Sequence, residues 1–171
     1  MGREMLEPRL SSDSASTLIE ATIAAAICAI FLGSLFSMNT STMGAVKMAR
    51  EAACASQVLQ QRIEGMRIAN WHQITDADWV RSNLLNTDAP GSTGLKNLSE
   101  TLVLTPYGSG STTPTEVNRS GGAARVVTEN ASLLGENAIK VVWTVNFIGS
   151  PNDRNSMRQT VAILAKGGVA K

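Results

Sequence analysis

The sequence predicts an α+β fold in which one long amino-terminal helix carries a small antiparallel β-sheet head on its second half. Three observations predict it. The stretch Thr17 to Met38, "TLIEATIAAAICAIFLGSLFSM", is apolar apart from a single carboxylate, Glu20, and no charged residue separates Glu20 from Lys47. Beyond it, apolar or small residues recur at Ala45, Met48, Ala49, Ala52, Ala55, Leu59, Ile63 and Met66, mostly three and four apart, which is the period of one helix face. Near the carboxyl end, two runs alternate apolar and polar residues with the period of strands.

The first element is long enough to cross a membrane. The uncharged run from Ala21 to Val46 holds 26 residues, and at about 1.5 Å per residue it reaches roughly 39 Å as a helix. The hydrocarbon of a bilayer is about 30 Å thick. Its last part, "NTSTMG", is polar, so the span is expected to end near Met38. The preceding segment, "MGREMLEPRLSSDSA", offsets Arg3 and Arg9 with Glu4, Glu7 and Asp13. A secretory signal would have a basic start and an apolar region of only about 7 to 15 residues. Thr17 and Glu20 have the T-x-x-E spacing of a capping box, which would place the helix start there.

From Met38 to Asn70 there is no proline, so the amphipathic segment is expected to continue the membrane helix without a break, giving about 50 residues in all. Its polar positions include Lys47, Arg50, Glu51, Gln57, Gln60, Gln61, Arg62 and Glu64. A short helix is predicted at Asp76 to Leu85, introduced by Thr75 with Asp78 three residues later. From Asn86 onward, glycine and proline divide the chain into short pieces, and "YGSGSTTPTEVNRSGG" reads as the loopiest part.

Strands are predicted at Leu98 to Thr105, Ala123 to Glu129, Ala138 to Ile148 and Met157 to Ala165. In the third, Ile139, Val141, Trp143, Val145 and Phe147 alternate with Lys140, Thr144 and Asn146, so one face is meant for the core. In the fourth, Val161, Ile163 and Ala165 form the apolar side, opposed by Arg158, Thr160 and Lys166. The pair forms a hairpin whose connection, "GSPNDRNS", is about eight residues. A sheet with one apolar face and a helix with one apolar stripe bury each other.

Little in the sequence points to catalysis, a cofactor or a metal. The formal net charge of +1 gives no field to gather nucleic acid, and no basic stripe accompanies Trp79, Tyr107 or Trp143. Trp143 lies on the apolar side of its strand and is expected in the core. His72 is the single histidine, and no acidic or cysteine cluster stands near it, so a surface or junction role is expected. Asn152, Asp153 and Asn155 offer oxygens but one carboxylate, fewer than a calcium loop normally has. The glycines of "YGSGS" and "SGGAAR" lack the strand and lysine-bearing helix of a phosphate loop. Cys28 and Cys54 would sit 26 residues apart on one helix, beyond disulfide reach.

The residues "STLIEATIAAAI" resemble the amino-terminal signature of type IV pilins and of the pseudopilins of type II secretion. In that family a hydrophilic leader ends in a small residue, usually glycine, and is followed by an aromatic residue, T-L-I-E and an apolar helix. Thr17, Leu18, Ile19 and Glu20 match the motif directly. Alanine stands at 15 in place of the usual glycine, and serine at 16 in place of the usual phenylalanine. "AREAACASQVLQQRIEGMR" and the closing hairpin are also similar to minor pilins and the smaller pseudopilins. The likeness covers roughly Ser14 to Arg67 and Ala138 to Ala165.

The resemblance implies a leader over 1–15, a transmembrane helix over 16–38, an amphipathic extension over 39–70 and a globular head over 71–171. It implies cleavage between Ala15 and Ser16 by a membrane prepilin peptidase, followed by N-methylation of Ser16. It assigns Glu20 to assembly, as partner of the new amine of a neighbouring subunit. The implied partners are other pilin or pseudopilin subunits, the peptidase and an inner-membrane assembly platform; direct binding of nucleic acid is not expected. The implied location is the bacterial inner membrane, single-pass with the head outside the cytoplasm, and the pilus or pseudopilus after assembly. Charge gives no independent orientation, because Arg3 and Arg9 on one side match Lys47 and Arg50 on the other. The residues leave one alternative open, an uncleaved membrane-anchored binding or sensor module.

Overall fold

The computed structural model describes residues 13–108, 113–150 and 152–167. The chain divides into two units, Met1–Met43 and Gly44–Lys171, and helix α1 (Asp13–Ile68) runs through both. It is the one helix, among the described residues, that is long and apolar enough to cross a membrane.

In the first unit the described side chains from Thr17 to Met43 are all exposed, with Ile30 and Phe36 more than two-thirds so. No described residue covers them. Four hydroxyls in this stretch are nonetheless satisfied locally. The hydroxyls of Thr22, Ser34, Thr40 and Thr42 donate to the carbonyls of Ile19, Phe31, Phe36 and Met38 at 2.7–2.9 Å. Such back-bonding hides a hydroxyl from a medium with no hydrogen-bonding capacity, where an unmatched one costs several kcal/mol.

The helix already includes Asp13, the first residue described. Thr17 and Glu20 are therefore helix-interior residues, and the T-x-x-E spacing does not mark the first turn.

In the second unit a five-stranded antiparallel sheet is built from β1 (Lys96–Pro106), β2 (Thr115–Ser120), β3 (Ala123–Thr128), β4 (Ala138–Gly149) and β5 (Arg154–Ala165). The spatial order is β3-β2-β1-β4-β5. The first three strands form a meander; β4 then returns on the other side of β1, with Leu102 placed between Val117 and Trp143. Strand β2 was unforeseen, because its glycine- and proline-rich flanks read as loop. "SGGAAR" is the tight turn between β2 and β3, where Gly121 and Gly122 both take positive φ, +61° and +85°, the backbone that favours glycine in two-residue hairpins. Strands β4 and β5 are joined by four residues rather than eight, and the turn uses Asn152 and Asp153 at φ +72° and +47°.

Between α1 and the sheet lie α2 (Trp71–Thr75), α3 (Ala77–Val80) and a π-helical turn at Arg81–Leu85. The predicted single helix from Asp76 is thus divided, and Asp76 rather than Thr75 caps it. Its side chain accepts from the amides of Asp78 and Trp79 at 2.9 and 3.1 Å, while the Thr75 hydroxyl donates backward to Trp71 at 2.8 Å.

The core gathers Ala55, Val58, Leu59, Ile63 and Met66 of α1 with Leu102, Leu104, Val117, Ile139, Val141, Trp143, Val145 and Phe147 of the sheet; Ile74, Ala77, Val80, Leu85 and Leu133 close its sides. Burial of each larger side chain contributes about 1.5–3 kcal/mol before chain entropy is counted. The stripe expected from Ala45 is buried only from Ala55 onward; Ala45, Met48 and Ala49 are exposed. On β5 the phase differs from expectation too. Met157, Val161 and Ile163 are exposed, while Ala162 and Leu164 pack against the core. The antiparallel register accounts for this: Ala162 lies opposite Val141 and Leu164 opposite Ile139, the inward residues of β4, and cross-strand partners share a face.

Candidate assembly site and a buried charge centre

The residues expected to carry function cluster on the first turns of α1. Ala15 and Ser16 lie among the first four described residues of the helix. Thr17, Leu18, Ile19 and Glu20 are exposed in the turn that follows. Glu20 makes no hydrogen bond or ion pair to any described residue. By helical spacing it shares a side with Ile23, Ala24 and Ile27. A carboxylate is therefore presented from an apolar stripe beside a small alanine, where another helix can approach closely.

The head places its most connected charges elsewhere. Glu100 of β1 is fully buried, and its two carboxylate oxygens accept four hydrogen bonds. Arg62 of α1 grips it in bidentate fashion, Nε to Oε2 and Nη2 to Oε1, both at 2.8 Å. Arg119 of β2 donates to Oε1 at 3.0 Å, and the Trp143 indole N–H donates to Oε2 at 3.2 Å. The remaining guanidinium donors of Arg62 reach the Thr87 carbonyl at 2.8 Å and the Leu84 carbonyl. Its Cζ stands 5.9 Å from the centroid of the Trp143 ring. Asp88 pairs with Arg119 and completes a group of two cations and two anions.

Burial works against the charge of Arg119, but its hydrogen bonds to Asp88 and Glu100, and their negative charges, outweigh burial and raise its pKa. Glu100 has its acceptor sites filled by donors from three elements, and a carboxylate offers about four such sites. The cluster rivets α1, the sheet and the π-turn together.

In the sequence Arg62 reads as one polar position of the helix and Glu100 and Arg119 carry no motif, although a signal is present. Glu100 has the same strand parity as Leu102 and Leu104, and Arg119 the same as Val117. Arg62 falls four residues from both Val58 and Met66, inside the buried stripe. Paired opposite charges at three inward positions are the mark of a buried network.

The other candidates are placed as follows. His72 is exposed in α2. Asp153 pairs with Lys96 at 3.5 Å at the surface. Trp143 is wholly buried. Cys28 is exposed in the apolar part of α1, and Cys54 lies against Gly94. Among the described residues no group of three His, Cys, Asp or Glu stands together as a metal site would require. Part of "YGSGS" lies outside the described residues. No family model matches the chain, and neither a curated protein nor a solved structure does.

Proposed function

We propose that this chain is a non-enzymatic structural subunit of a filament, a minor pilin or pseudopilin of a type IV pilus or type II secretion pseudopilus, anchored and assembled through α1. The observation that carries the reading is the solitary Glu20 on the otherwise uncharged, exposed apolar segment of α1 from Thr17 to Met43. An unpaired carboxylate deep in hydrocarbon costs roughly 2.5–3.5 kcal/mol or more. A cation from a neighbouring helix removes much of that cost and fixes the axial offset between the two helices. The T-L-I-E motif supports the reading, as does a long helix whose second part buries its apolar stripe against an antiparallel sheet, an arrangement compatible with a pilin-like fold.

In this reading Ala15–Ser16 is the processing bond, and the Ser16 amine, methylated after cleavage, is the cation that meets Glu20 of the next subunit. The bond lies within the described part of α1, so the reading requires the helix to unwind locally there for cleavage. The prepilin peptidase, the inner-membrane assembly platform and sister subunits are the partners, and the head lies outside the cytoplasm.

Expression with a prepilin peptidase and intact-mass measurement tests the processing step. The expected product lacks residues 1–15 and carries one added methyl group at Ser16. Recovery of the full-length chain alone, from a peptidase that cleaves a control prepilin in the same cells, overturns it.

A further inference from the structure

Strand β5 is one edge of the sheet and runs for 12 residues. Its partner β4 covers one side only, so alternate N–H and C=O groups along the other side have no strand to pair with. The edge strand is also apolar on the wrong face for a protected edge. Met157, Val161 and Ile163 point away from the core at 64%, 55% and 53% exposure, and Val142 and Val103 continue the patch across β4 and β1.

On the opposite face the edge of β5 and α1 enclose a groove. One part is lined by Ser56, Gln60 and Ile63 of α1 with Thr160 of β5. The other is lined by Met48 and Glu51 with Arg154, Ser156 and Arg158. The two acids of this groove are already engaged: Glu51 accepts from the Ser150 amide and hydroxyl, both at 2.8 Å, and Glu64 pairs with Arg67 at 2.9 Å. Arg154 and Arg158 are exposed and make no ion pair to any described residue.

These charges sort the possible occupants. From Arg154 to Lys166 the chain holds three cations and no anion. Two such stretches laid edge to edge would bring six cations together with no anion between them to offset the charge. The other edge, β3, also contains an arginine and no acid, so a second copy brings no complementary strand. An acidic strand is admitted by the same charges that turn away the protein's own edges, which is how specificity is commonly built.

We propose that the free edge of β5 docks an extended segment of another protein in which acidic and apolar residues alternate. The segment adds to the sheet by main-chain hydrogen bonds. Its apolar side chains extend the Met157–Val161–Ile163 patch, and its carboxylates enter the groove and meet Arg154 and Arg158. The proposal stands independently of the filament reading.

The test uses the full chain in detergent micelles and two synthetic peptides, one alternating glutamate with valine and one alternating lysine with valine. Binding is followed by fluorescence anisotropy and by amide hydrogen exchange. The acidic peptide is expected to slow exchange along Arg154–Ala165. Affinity is expected to fall about tenfold for the lysine peptide, and by a similar factor when the acidic peptide meets an Arg154→Glu/Arg158→Glu variant of unchanged melting temperature. Three results overturn the proposal: equal affinity or no binding for the two peptides; protection that falls outside β5; or slowing of β5 exchange by protein concentration alone, the signature of a second copy on the edge.

Discussion

Arg62 on the long helix and Glu100 on the central strand are 38 positions apart in sequence and joined by two parallel hydrogen bonds of 2.8 Å, with both side chains at least 96% buried. The pair fixes the rotation of α1 over the sheet, because a bidentate contact tolerates little misalignment. Breaking a buried pair from one side is costly, since the other charge is stranded. Arg62→Ala is expected to destabilise the head by about 3–5 kcal/mol, as removal of one partner does in such pairs. Chemical denaturation followed by tryptophan fluorescence measures it. The Arg62→Ala/Glu100→Ala double variant should lose less than the sum of the singles; additive losses would contradict a direct coupling.

Glu51 ties α1 to the hairpin between β4 and β5 through Ser150. Glu51→Ala is expected to cost about 1.5–3 kcal/mol, the range for hydrogen bonds to a charged group. It should also speed amide exchange at Ser150 without altering exchange at β2 or β3. Unchanged protection at Ser150 would mean that the hairpin is held by other contacts.

A Cβ added to Gly94 would stand 2.9 Å from the Cys54 Sγ. Gly94→Ala should therefore cost about 1–3 kcal/mol, the usual toll of overpacking. Cys54→Ala in the same chain should recover most of that loss by removing the sulfur. Thermal melts of the two variants decide it, and a failure of rescue would place the strain in the backbone instead.

Asp76 caps α3, and its replacement by alanine is expected to lower stability by about 1 kcal/mol. Thr75→Ala removes only a back-bonding hydroxyl and its small buried volume, and a comparable or larger loss there would count against Asp76 as the cap.

Glu20→Ala is expected to leave membrane insertion intact, because it removes the one charge from the apolar run, and to abolish incorporation into filaments. Fractionation of membranes and sheared filaments reads both. Normal incorporation of the variant would remove Glu20 from the assembly contact.

Much of this fold is readable without coordinates, because it rests on long periodic signals. The helix, the hairpin of β4 and β5, and the burial of Trp143 all follow from spacing. What escaped depends on pairing across the chain. Strand β2 is short, and the glycines on its flank that read as loop are what its turn requires. The inward phase of β5 is set by its register on β4; its own bulkier side chains, Val161 and Ile163, argue for the opposite face, and the register prevails because Ala162 and Leu164 fit beside α1. Arg62 and Glu100 each resemble a solvated charge when viewed alone. Their burial becomes reasonable only once three elements converge, and periodicity carries no information about convergence. The T-L-I-E segment was the reverse case, evident as a motif yet silent about where its helix begins.

Among the described residues the hydrophobic core draws nothing from α1 before Cys54, and the first polar tie of α1 to the head is at Glu51. On the filament reading, a substitution within residues 17–43 is expected to leave the folding equilibrium of the head where it was, and one that melts the head to leave the apolar segment able to insert. Stability of the head and insertion of the apolar segment then vary independently under mutation.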